Sequence, residues 1–387
     1  MRIGIFGGSF DPVHIEHIRV AQSAIKGLGL DKLLIMPAYA PPHKPYKALA
    51  PDKHRLAACR LAFADLEKAE VCDFEIAQKG TSYTYLTCRH FKQKYPSAEL
   101  FWLVGTDMLR DFPTWREPES ILTDTRLAVC ARNEQDGWLE AEQAAFYQKF
   151  HKRFAVVSYN GADVSSTKIR VLAGAGEDIS ALVGEKVASY VQEHKLYSID
   201  NAAEALALEK PSRKAHSLRV AEVAAKKAAT LRIPEIKAIA AALFHDCGKN
   251  VDAGSPLLQG FALPKQWGEV PKSVWHQFAG AYLAKTRFGI DDEDIVNAVK
   301  YHTSGRENMS ELEKLIFLAD MVEEERDYDV VDKIRAAFWT GETDDCLLLA
   351  LKETVAYLQK SGARVYPLTL EALAYYQRKN QEKRRSL

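Results

Sequence analysis

The sequence predicts two halves of different fold class: a doubly wound α/β half with a parallel sheet, then an all-α half. The chain has 387 residues, which is longer than one ordinary domain. In the first half, short apolar or β-branched runs alternate with helical patterns, as in parallel sheets covered by helices on both faces. From about Asn201 onward, apolar residues recur at helical spacing without any strand signal.

The predicted elements follow in order along the chain. The expected strands are IGIFGG (3–8), LLIMPA (33–38), FEIA (74–77), ELFWLVG (99–105), RLAVCAR (126–132) and FAVVSYN (154–160), with helices between the first four of them. The helical half contains SLRVAEVAAKKAATL, IKAIAAALF, DIVNAVKYH and ELEKLIFLADMV. The boundary falls in the polar segment between Tyr197 and Asn201, so we expect domains at 1–198 and 199–387.

The composition excludes several classes of protein. Lys plus Arg and Asp plus Glu both number 52, so no net charge favours nucleic acid or an anionic membrane. The six cysteines include no C-x-x-C pair, which is typical of free thiols in a reducing compartment. No apolar run approaches membrane-spanning length, and the N-terminus lacks a signal-peptide pattern. We therefore expect a cytoplasmic protein with no nucleic-acid or membrane partner, and a homo-oligomer stays open.

The turn after the first strand, GGSFDPVHIEH, indicates a ligand site. Open parallel sheets bind ligands at the carboxyl ends of their strands. Gly7 and Gly8 would let the backbone approach a ligand closely. Asp11 would cap the following helix, with Pro12 at its first position.

Two histidines then share one face of the predicted helix. His14 and His17 are three residues apart and lie near the positive end of the helix dipole, which suits phosphate binding. A lone histidine would more often be structural, whereas a pair at this spacing favours function. The segment SSTKIR, 165–170, is by itself an ordinary helix start, but together with the first turn it would bind the far phosphates of a triphosphate. Neither a P-loop nor a G-x-G-x-x-G motif follows the first strand, which argues against a P-loop hydrolase and a dinucleotide oxidoreductase.

These motifs carry a resemblance to a known family. GGSFDPVHIEH and SSTKIR resemble the signatures of the Rossmann-like nucleotidyltransferase superfamily. Within it, PPHK, SYT, GTDM and FPTW resemble the nicotinate-nucleotide adenylyltransferases of bacterial NAD synthesis, in the family's order over the first half of the chain. The resemblance implies that the phosphate of nicotinate mononucleotide attacks the α-phosphate of ATP, which is bound with Mg²⁺.

The resemblance also implies site residues. Those implied for ATP are Gly7, Gly8, Ser9, Phe10, His14, His17, Asp107, Ser166, Thr167 and Arg170. Those implied for nicotinate mononucleotide are His43, Lys44, Thr84, Trp115 and Arg132. The catalytic members would be His14, His17, Lys44 and Arg170. Without the resemblance, Trp115 would be interpreted as a half-buried core residue and Lys44 as a surface charge.

Glu16 departs from the family, which has glycine at this position. On a helix, residue 16 lies about 100° from His17 and about 200° from His14, so its side chain can point away from the phosphate face. A side chain here would obstruct a nucleotide that packs onto the backbone. Because every other motif is kept, we expect Glu16 to be tolerated.

The helical half concentrates histidines and carboxylates in KAHSLRVAE, LFHDCGKN, VWHQFAGAYLA, KYHTSG and FLADMVE. Adjacent His245 and Asp246 in so apolar a stretch would be costly unless they were paired or metal-bound. Candidate ligands on separate helices suit a metal site that tertiary packing assembles. Gly248 is interpreted as a helix stop, and His302 alone would be interpreted as a satisfied core histidine.

As a set, these motifs resemble the HD superfamily of metal-dependent phosphohydrolases. The closer resemblance is to the YqeK family of symmetrical diadenosine tetraphosphate hydrolases. It implies a centre of two transition-metal ions of iron type, with the ligands His216, His245, Asp246, His276, His302 and Asp320. Asp246, as a ligand able to bridge two metals, and Lys249, as a cation that either supports the metal ligands or binds phosphate, would be catalytic. Gln277 and Glu324 depart from the family at positions that are not ligands.

The sequence therefore predicts a bifunctional enzyme that acts on ATP, nicotinate mononucleotide and diadenosine tetraphosphate. Three alternatives stay open. The first half could use nicotinamide mononucleotide or phosphopantetheine as acceptor. It could also be a nucleotide sensor, impaired by Glu16, that regulates the hydrolase. The second half could be a mononucleotide phosphatase or a guanosine-tetraphosphate hydrolase, because HD ligands determine the metals and not the leaving group.

Overall fold

The computed structural model describes residues 1–42, 49–132 and 136–385. Within these ranges the chain forms two compact units. The first unit comprises residues up to 169 together with 178–196, and the second comprises 170–177 and 197–385. None of the described helices is long and apolar enough to cross a membrane.

The first unit is built on a six-stranded sheet whose strand pairs are all parallel. The strands are β1 (Arg2–Gly8), β2 (Lys32–Pro37), β3 (Ala69–Val71), β4 (Glu99–Gly105), β5 (Arg126–Arg132) and β6 (Ala155–Tyr159). Their order is β3-β2-β1-β4-β5-β6, which is a doubly wound arrangement and confirms the predicted fold class. The order reverses between β1 and β4, so a ligand crevice is expected at the carboxyl ends of these two strands.

Helices cover the sheet and explain its apolar strands. The helices of this part of the chain are α1 (Ile15–Gly27), α2 (Asp52–Phe63), α3 (Phe74–Gln78), α4 (Thr84–Lys94), α5 (Thr106–Asp111), α6 (Pro118–Asp124), α7 (Asp136–Phe150), α8 (Ser166–Gly174), α9 (Ser180–Val183) and α10 (Glu185–Glu193). The central strands are buried almost throughout; Ile3 and Ile5 of β1 pack with Leu100 and Trp102 of β4 in one core. Continuous apolar strands are what burial on both faces requires.

One predicted strand is wrong. FEIA forms the short helix α3, and the strand of this region is β3, a three-residue segment that ends before it. The amide of Ala77 donates to the carbonyl of Asp73 at 2.8 Å, which is a helical hydrogen bond. An apolar run of only four residues is compatible with the hydrophobic period of a helix and with that of a strand. The tertiary contacts of this segment therefore decided that it forms a helix.

The second unit is helical, as predicted. Its remaining helices are α11 (Ala202–Leu206), α12 (Pro211–Ala228), α13 (Glu235–Phe244), α14 (Lys272–Thr286), α15 (Glu293–Tyr301), α16 (Glu311–Val322), α17 (Val331–Thr340), α18 (Thr343–Lys360) and α19 (Pro367–Arg385). Helix α13 is buried from Ala238 to Phe244, so the His245-Asp246 pair that follows it lies in the core. Small alanine side chains on α12 and α13 let these two helices pack closely.

Gly248 has a different role from the predicted helix stop. Its φ is not positive, so it does not form the left-handed cap that stops many helices. A Cβ on Gly248 would lie 2.4 Å from the amide nitrogen of Gly280 and 2.5 Å from the carbonyl oxygen of His276. Gly248 therefore lets the turn after α13 pack directly onto the backbone of α14.

Candidate active sites

The first candidate site is a cavity at the switch point of the sheet. It has a volume of about 730 Å³ and is lined by the β1–α1 turn, the end of β4 and the start of α5. The predicted site residues that line it are Gly7, Gly8, Ser9, Phe10, His17, Thr84, Asp107, Trp115 and Ser166. The two predicted motifs far apart in sequence, GGSFDPVH and SSTKIR, thus meet at one cavity.

The start of α1 differs from the prediction. The helix begins at Ile15 with His14 as its N-cap, so Asp11 does not cap it. Asp11 instead accepts a hydrogen bond from the amide of Ala50 at 3.2 Å and ties the turn to the segment before α2. The side chain of Asp11 is therefore used for loop packing, and the capping position moves three residues along the chain.

His14 and His17 form a pair of contacting rings, tilted by 34° to each other. Their ring centroids are 3.8 Å apart, and the backbone amide of His14 donates to Nδ1 of His17 at 3.1 Å. Because Nδ1 accepts, the neutral ring of His17 carries its proton on Nε2. His17 lines the cavity, so this arrangement provides an N–H donor suited to an anionic ligand. His14 is buried and supports the ring of His17.

Two glycines of the turn meet aromatic rings. A Cβ on Gly7 would lie 2.7 Å from the ring of Trp102, and one on Gly8 would lie 3.2 Å from the ring of Phe10. These glycines therefore have a packing role besides the close approach of a ligand, which stays a prediction. The missing side chains let aromatic residues pack against the turn, while the glycine backbone still lines the cavity.

The segment after β6 contacts the same turn between β1 and α1. Ser165 caps α8 by accepting from the amide of Lys168 at 3.2 Å, as predicted. The hydroxyl of Ser166 donates to the carbonyl of Pro12 at 3.0 Å. Thr167 follows in the first turn of α8. A hydroxyl-rich helix start therefore lies next to the turn that carries the histidine pair.

The other side of the cavity is aromatic and contains a buried acid. Thr84 begins α4, and Trp115 packs against Phe112 with ring centroids 5.3 Å apart. Glu75 also lines the cavity, and it accepts from the hydroxyl of Thr87 at 2.7 Å. Burial raises the pKa of Glu75. Glu75 was missed from sequence because it lies in FEIA, whose pattern predicts a strand.

Several predicted residues lie elsewhere. His43 and Lys44 lie outside the described residues. Arg132 ends β5 and donates to the carbonyl of Ala162 at 2.8 Å. Arg170 belongs to the second compact unit, is buried, and forms an ion pair with Glu235 at 2.5 Å. The described lining of the cavity does not include Arg132 or Arg170.

The second candidate site is a cluster of four histidines and two aspartates in the helical unit, which we call the HD cluster. It consists of His216, His245, Asp246, His276, His302 and Asp320, all predicted from sequence. They form three overlapping triads whose ligand atoms lie within 4.8 Å of one another: His216-His245-Asp246, His245-His302-Asp320, and Asp246-His276-His302. Asp246 belongs to two triads, which suits a ligand shared by two metal ions.

Outer hydrogen bonds orient the rings of the HD cluster. Nδ1 of His245 lies 2.6 Å from the carbonyl of Ala242, and Nδ1 of His302 lies 2.7 Å from that of Val299. These carbonyls accept, so Nδ1 of each ring carries the proton and Nε2 presents a lone pair. Nε2 of His245 is buried without a hydrogen-bond partner in the described part of the chain. A buried ring nitrogen with a lone pair and no donor fits a metal ion.

The charges of the HD cluster are also those of metal ligands. Burial lowers the pKa of His245 and of His276 to about 4, so both rings are neutral at pH 7. Burial opposes the charged form of Asp246, but the adjacent His245 and the hydrogen-bonding His276 and His302 outweigh it and hold the pKa well below its usual range. Neutral imidazoles and charged carboxylates are the forms that bind metal.

Within the described ranges, three cationic side chains contact residues of the HD cluster. Lys249 Nζ lies 3.1 Å from Nε2 of His276, and Arg213 Nη1 lies 3.0 Å from Asp246 Oδ2. Arg326 pairs with Asp320. All three side chains are partly exposed. Sequence reasoning found Lys249 but missed both arginines, because nothing in their spacing separates them from solvated charges.

A buried glutamate supports the first ligand of the HD cluster. Glu323 accepts from Arg219 Nε at 2.7 Å and lies 3.1 Å from Nδ1 of His216. His216 Nε2 in turn lies 2.8 Å from Asp320 Oδ1. Gln277, one of the departures from the family, bonds the hydroxyl of Ser304 at 2.8 Å and is not part of the cluster.

Fold and sites together define a nucleotidyltransferase-type α/β half joined to a metal-binding HD half. The Cytidylyltransferase-like family matches residues 5–172, and the HD domain family matches residues 213–325. Both matches confirm the resemblances predicted from the motifs.

Relatives with both halves exist. A "Probable nicotinate-nucleotide adenylyltransferase/Ap4A hydrolase" of Mycoplasma pneumoniae is 32% identical over 324 residues, which is 82% of this chain and 88% of the relative. A protein of the same description from Mycoplasma genitalium is 29% identical over 327 residues, 84% of this chain and 88% of the relative. A "Probable nicotinate-nucleotide adenylyltransferase" of Geobacter sulfurreducens is 36% identical over 215 residues, 52% of this chain and 100% of the relative. The chain belongs to the family of two-domain nicotinate-nucleotide adenylyltransferase/Ap4A hydrolases.

Proposed function

We propose that the chain transfers AMP from ATP to nicotinate mononucleotide and separately hydrolyses diadenosine tetraphosphate to two ADP. One observation carries the proposal: each half has a site of the required chemistry, a cavity with the histidine turn and Trp115 in one, and the HD cluster in the other. We assign the transferase to residues 1–198 and the hydrolase to residues 199–387. We also propose that both act in the cytoplasm.

The transferase reaction needs positioning more than covalent help. An oxygen of the nicotinate mononucleotide phosphate forms a bond to the α-phosphorus of ATP while the bond to the bridging α–β oxygen breaks, and pyrophosphate leaves. Donors aimed at the phosphates stabilise the charge that develops. His17 Nε2–H, Ser166 and the turn of Gly7 to Phe10 are proposed for this role, with His14 in support and Mg²⁺ bound by the triphosphate.

The acceptor binds on the aromatic side of the cavity in this proposal. The start of α4 at Thr84 offers a hydroxyl and backbone N–H groups for the nicotinate carboxylate. The indole of Trp115 offers a face on which the pyridine ring stacks. Asp107, exposed at the start of α5, is proposed to bind a ribose hydroxyl.

The hydrolase uses the HD cluster. Its six residues would hold two divalent ions, which we propose to be iron; when bound, such ions activate water and neutralise phosphate charge. Arg213, Lys249 and Arg326 are proposed to bind the phosphates, because four phosphate groups need cations beyond those of the metal centre. Water adds at the central phosphoanhydride bond, which breaks to release two ADP.

The test is pyrophosphate release by the full-length protein with ATP, Mg²⁺ and one of three acceptors. We expect release with nicotinate mononucleotide and little with its amide or with phosphopantetheine. No release with any acceptor would overturn the transferase assignment. In a second assay, diadenosine tetraphosphate should give ADP alone; a mixture of AMP and ATP would contradict symmetrical cleavage.

A further inference from the structure

Glu16 has a buried carboxylate with one oxygen that no side chain or backbone group among the described residues satisfies. The residue is 5% exposed. Its Oε1 pairs with Arg19, but Oε2 is buried without a hydrogen-bond partner in the ranges that the structure describes. Buried polar atoms without partners are rare in folded proteins and point to a function or a ligand.

The unsatisfied oxygen lies at the carboxyl end of the sheet. A Cβ on Gly161 would lie 2.7 Å from Glu16 Oε2 and 2.4 Å from Cδ of Arg132, so both side chains pack against the α-carbon of Gly161. Arg132 ends β5 and Tyr159 ends β6, and the two residues are register partners. Burial raises the pKa of Tyr159, and the charge of Glu16 adds to this effect. Glu16, Arg132, Tyr159 and Gly161 therefore form one group, which we call the β5–β6 group.

The chemistry of the β5–β6 group matches a nucleobase with an amino substituent. A carboxylate oxygen only accepts hydrogen bonds, so its ligand must supply an N–H or O–H donor. The phosphates of ATP supply none, whereas its adenine carries a 6-amino group. The half-exposed guanidinium of Arg132 offers a planar face for stacking of the same base. A 6-oxo purine would instead place a carbonyl lone pair against the carboxylate.

We propose that Glu16 recognises the base of the nucleotide by accepting a hydrogen bond from the 6-amino group of adenine. The inference rests on the proposed function in one respect, namely that the first unit binds ATP. The residue that replaces the family's glycine would then select a 6-amino purine over a 6-oxo purine. Gly161 contributes because only its missing side chain lets the carboxylate and Arg132 come together.

The experiment compares calorimetric binding of ATP and of inosine triphosphate to the full-length protein with Mg²⁺. We expect the parent protein to bind ATP about tenfold or more tightly, the ratio that one hydrogen-bond mismatch at a buried site produces. Glu16→Gln should bring the ratio close to one, because the amide can accept from a 6-amino group and donate to a 6-oxo group. Glu67→Gln is the matched control, since it removes an exposed carboxylate of the same unit and should leave the ratio unchanged.

An equal ATP preference in the parent protein, Glu16→Gln and Glu16→Gly would overturn the inference. So would a change confined to 2′-deoxy- or 3′-deoxy-ATP, which would place Glu16 at the ribose. Pyrophosphate release, measured on the same preparations, separates this result from the proposed function. If no pyrophosphate is released but the preference for ATP depends on Glu16, the transferase assignment is refuted and recognition of the base is supported. If pyrophosphate is released but the affinity ratio of ATP to inosine triphosphate does not depend on Glu16, the transferase is supported and recognition of the base by Glu16 is refuted.

Discussion

At the scale of single residues, position within hydrogen-bond networks determines which histidines can act on a ligand. His17 accepts from the backbone of His14, so its proton lies on Nε2. His245 and His302 have the opposite arrangement, because their Nδ1 atoms face backbone carbonyls. The same side chain thus presents an N–H group in one unit, which suits the proposed binding of anions, and a lone pair in the other, which suits the proposed binding of metal.

Replacing His17 tests the first of these roles. His17→Ala should lower the rate of pyrophosphate release by about 10²-fold or more, because loss of one charge-stabilising donor has effects of this size. The KM for nicotinate mononucleotide should change little, since the donor faces the phosphates. His151→Ala, at an exposed histidine of the same unit, is the control and should have no effect. A His17→Ala protein with full activity would contradict the assignment.

Glu209 predicts a pH dependence of stability in the helical unit. Burial raises the pKa of Glu209 from 4.5 to about 8, and its Oε2 accepts from the hydroxyl of Ser217. Since the folded pKa lies above the unfolded one, the stabilising contribution is complete below pH 4.5 and is lost as the pH rises towards 8. Between pH 4.5 and 7 the parent protein should lose on the order of 3 kcal/mol of its free energy of unfolding through ionisation of Glu209. The Glu209→Gln variant should not show this loss, because an amide does not ionise.

The measurement is denaturant unfolding of the chelator-treated protein at several pH values. The difference in unfolding free energy between Glu209→Gln and the parent protein should grow from pH 5 to pH 8. A constant difference would show that Glu209 ionises normally. Glu222→Gln, at a carboxylate on the neighbouring helix α12, serves as control.

At the scale of elements, the contact between the turn after α13 and helix α14 brings together two segments that carry residues of the HD cluster. His245 and Asp246 follow α13, and His276 lies on α14. Gly248 lets the two backbones approach, because a Cβ there would collide with the backbone of Gly280 and His276. Backbone atoms cannot rotate away as a side chain can, so the helices would have to separate.

Substitution of this glycine should therefore disturb the metal site. We expect Gly248→Ala to destabilise the helical unit by about 2 kcal/mol or more and to lower its metal content. Gly280→Ala is the matched control, since the nearest atoms to its Cβ are 3.4 Å away. It should be neutral or slightly stabilising, because alanine favours a helix over glycine. Equal effects of the two changes on thermal unfolding and metal content would refute this account.

At the scale of the whole molecule, the two sites are expected to bind metal ions in different ways. The HD cluster is a set of candidate metal ligands, all buried except the partly exposed Asp320, whereas the cavity of the first unit is lined by donors and aromatic groups suited to a nucleotide. Metal bound by protein ligands should survive dialysis, while Mg²⁺ is expected to arrive with the triphosphate.

Chelation followed by return of Mg²⁺ alone should separate the two activities. We expect cleavage of diadenosine tetraphosphate to be lost and pyrophosphate release to be retained. Asp246→Asn should reproduce this pattern without chelation, because it removes the charge of the ligand shared by two triads. Loss of both activities in either case would contradict independent sites.

Much of this architecture follows from sequence pattern alone. The alternation of strands and helices predicted the parallel sheet, and helical periodicity predicted the second half, because each long periodic segment has one way to bury its apolar face. The six residues of the HD cluster were predicted through the resemblance to the HD superfamily, whereas physical reasoning alone pointed to His245 and Asp246, whose burial side by side is costly without a partner. The short FEIA segment and the start of α1 were not, because neighbouring loops decide such local choices.

What the tertiary structure decided is the partner of each polar group. Sequence placed Glu16 on the helix and predicted that it could point away from the phosphate face, but only the fold sets it beside Gly161 and Arg132 with an oxygen that the described residues leave unsatisfied. It likewise revealed Glu75 in the cavity and Arg213 and Arg326 beside the HD cluster. The physical reason is that periodicity reports which side of an element is buried, whereas a hydrogen bond or a charge contact joins atoms that are distant in sequence and meet only when the elements pack.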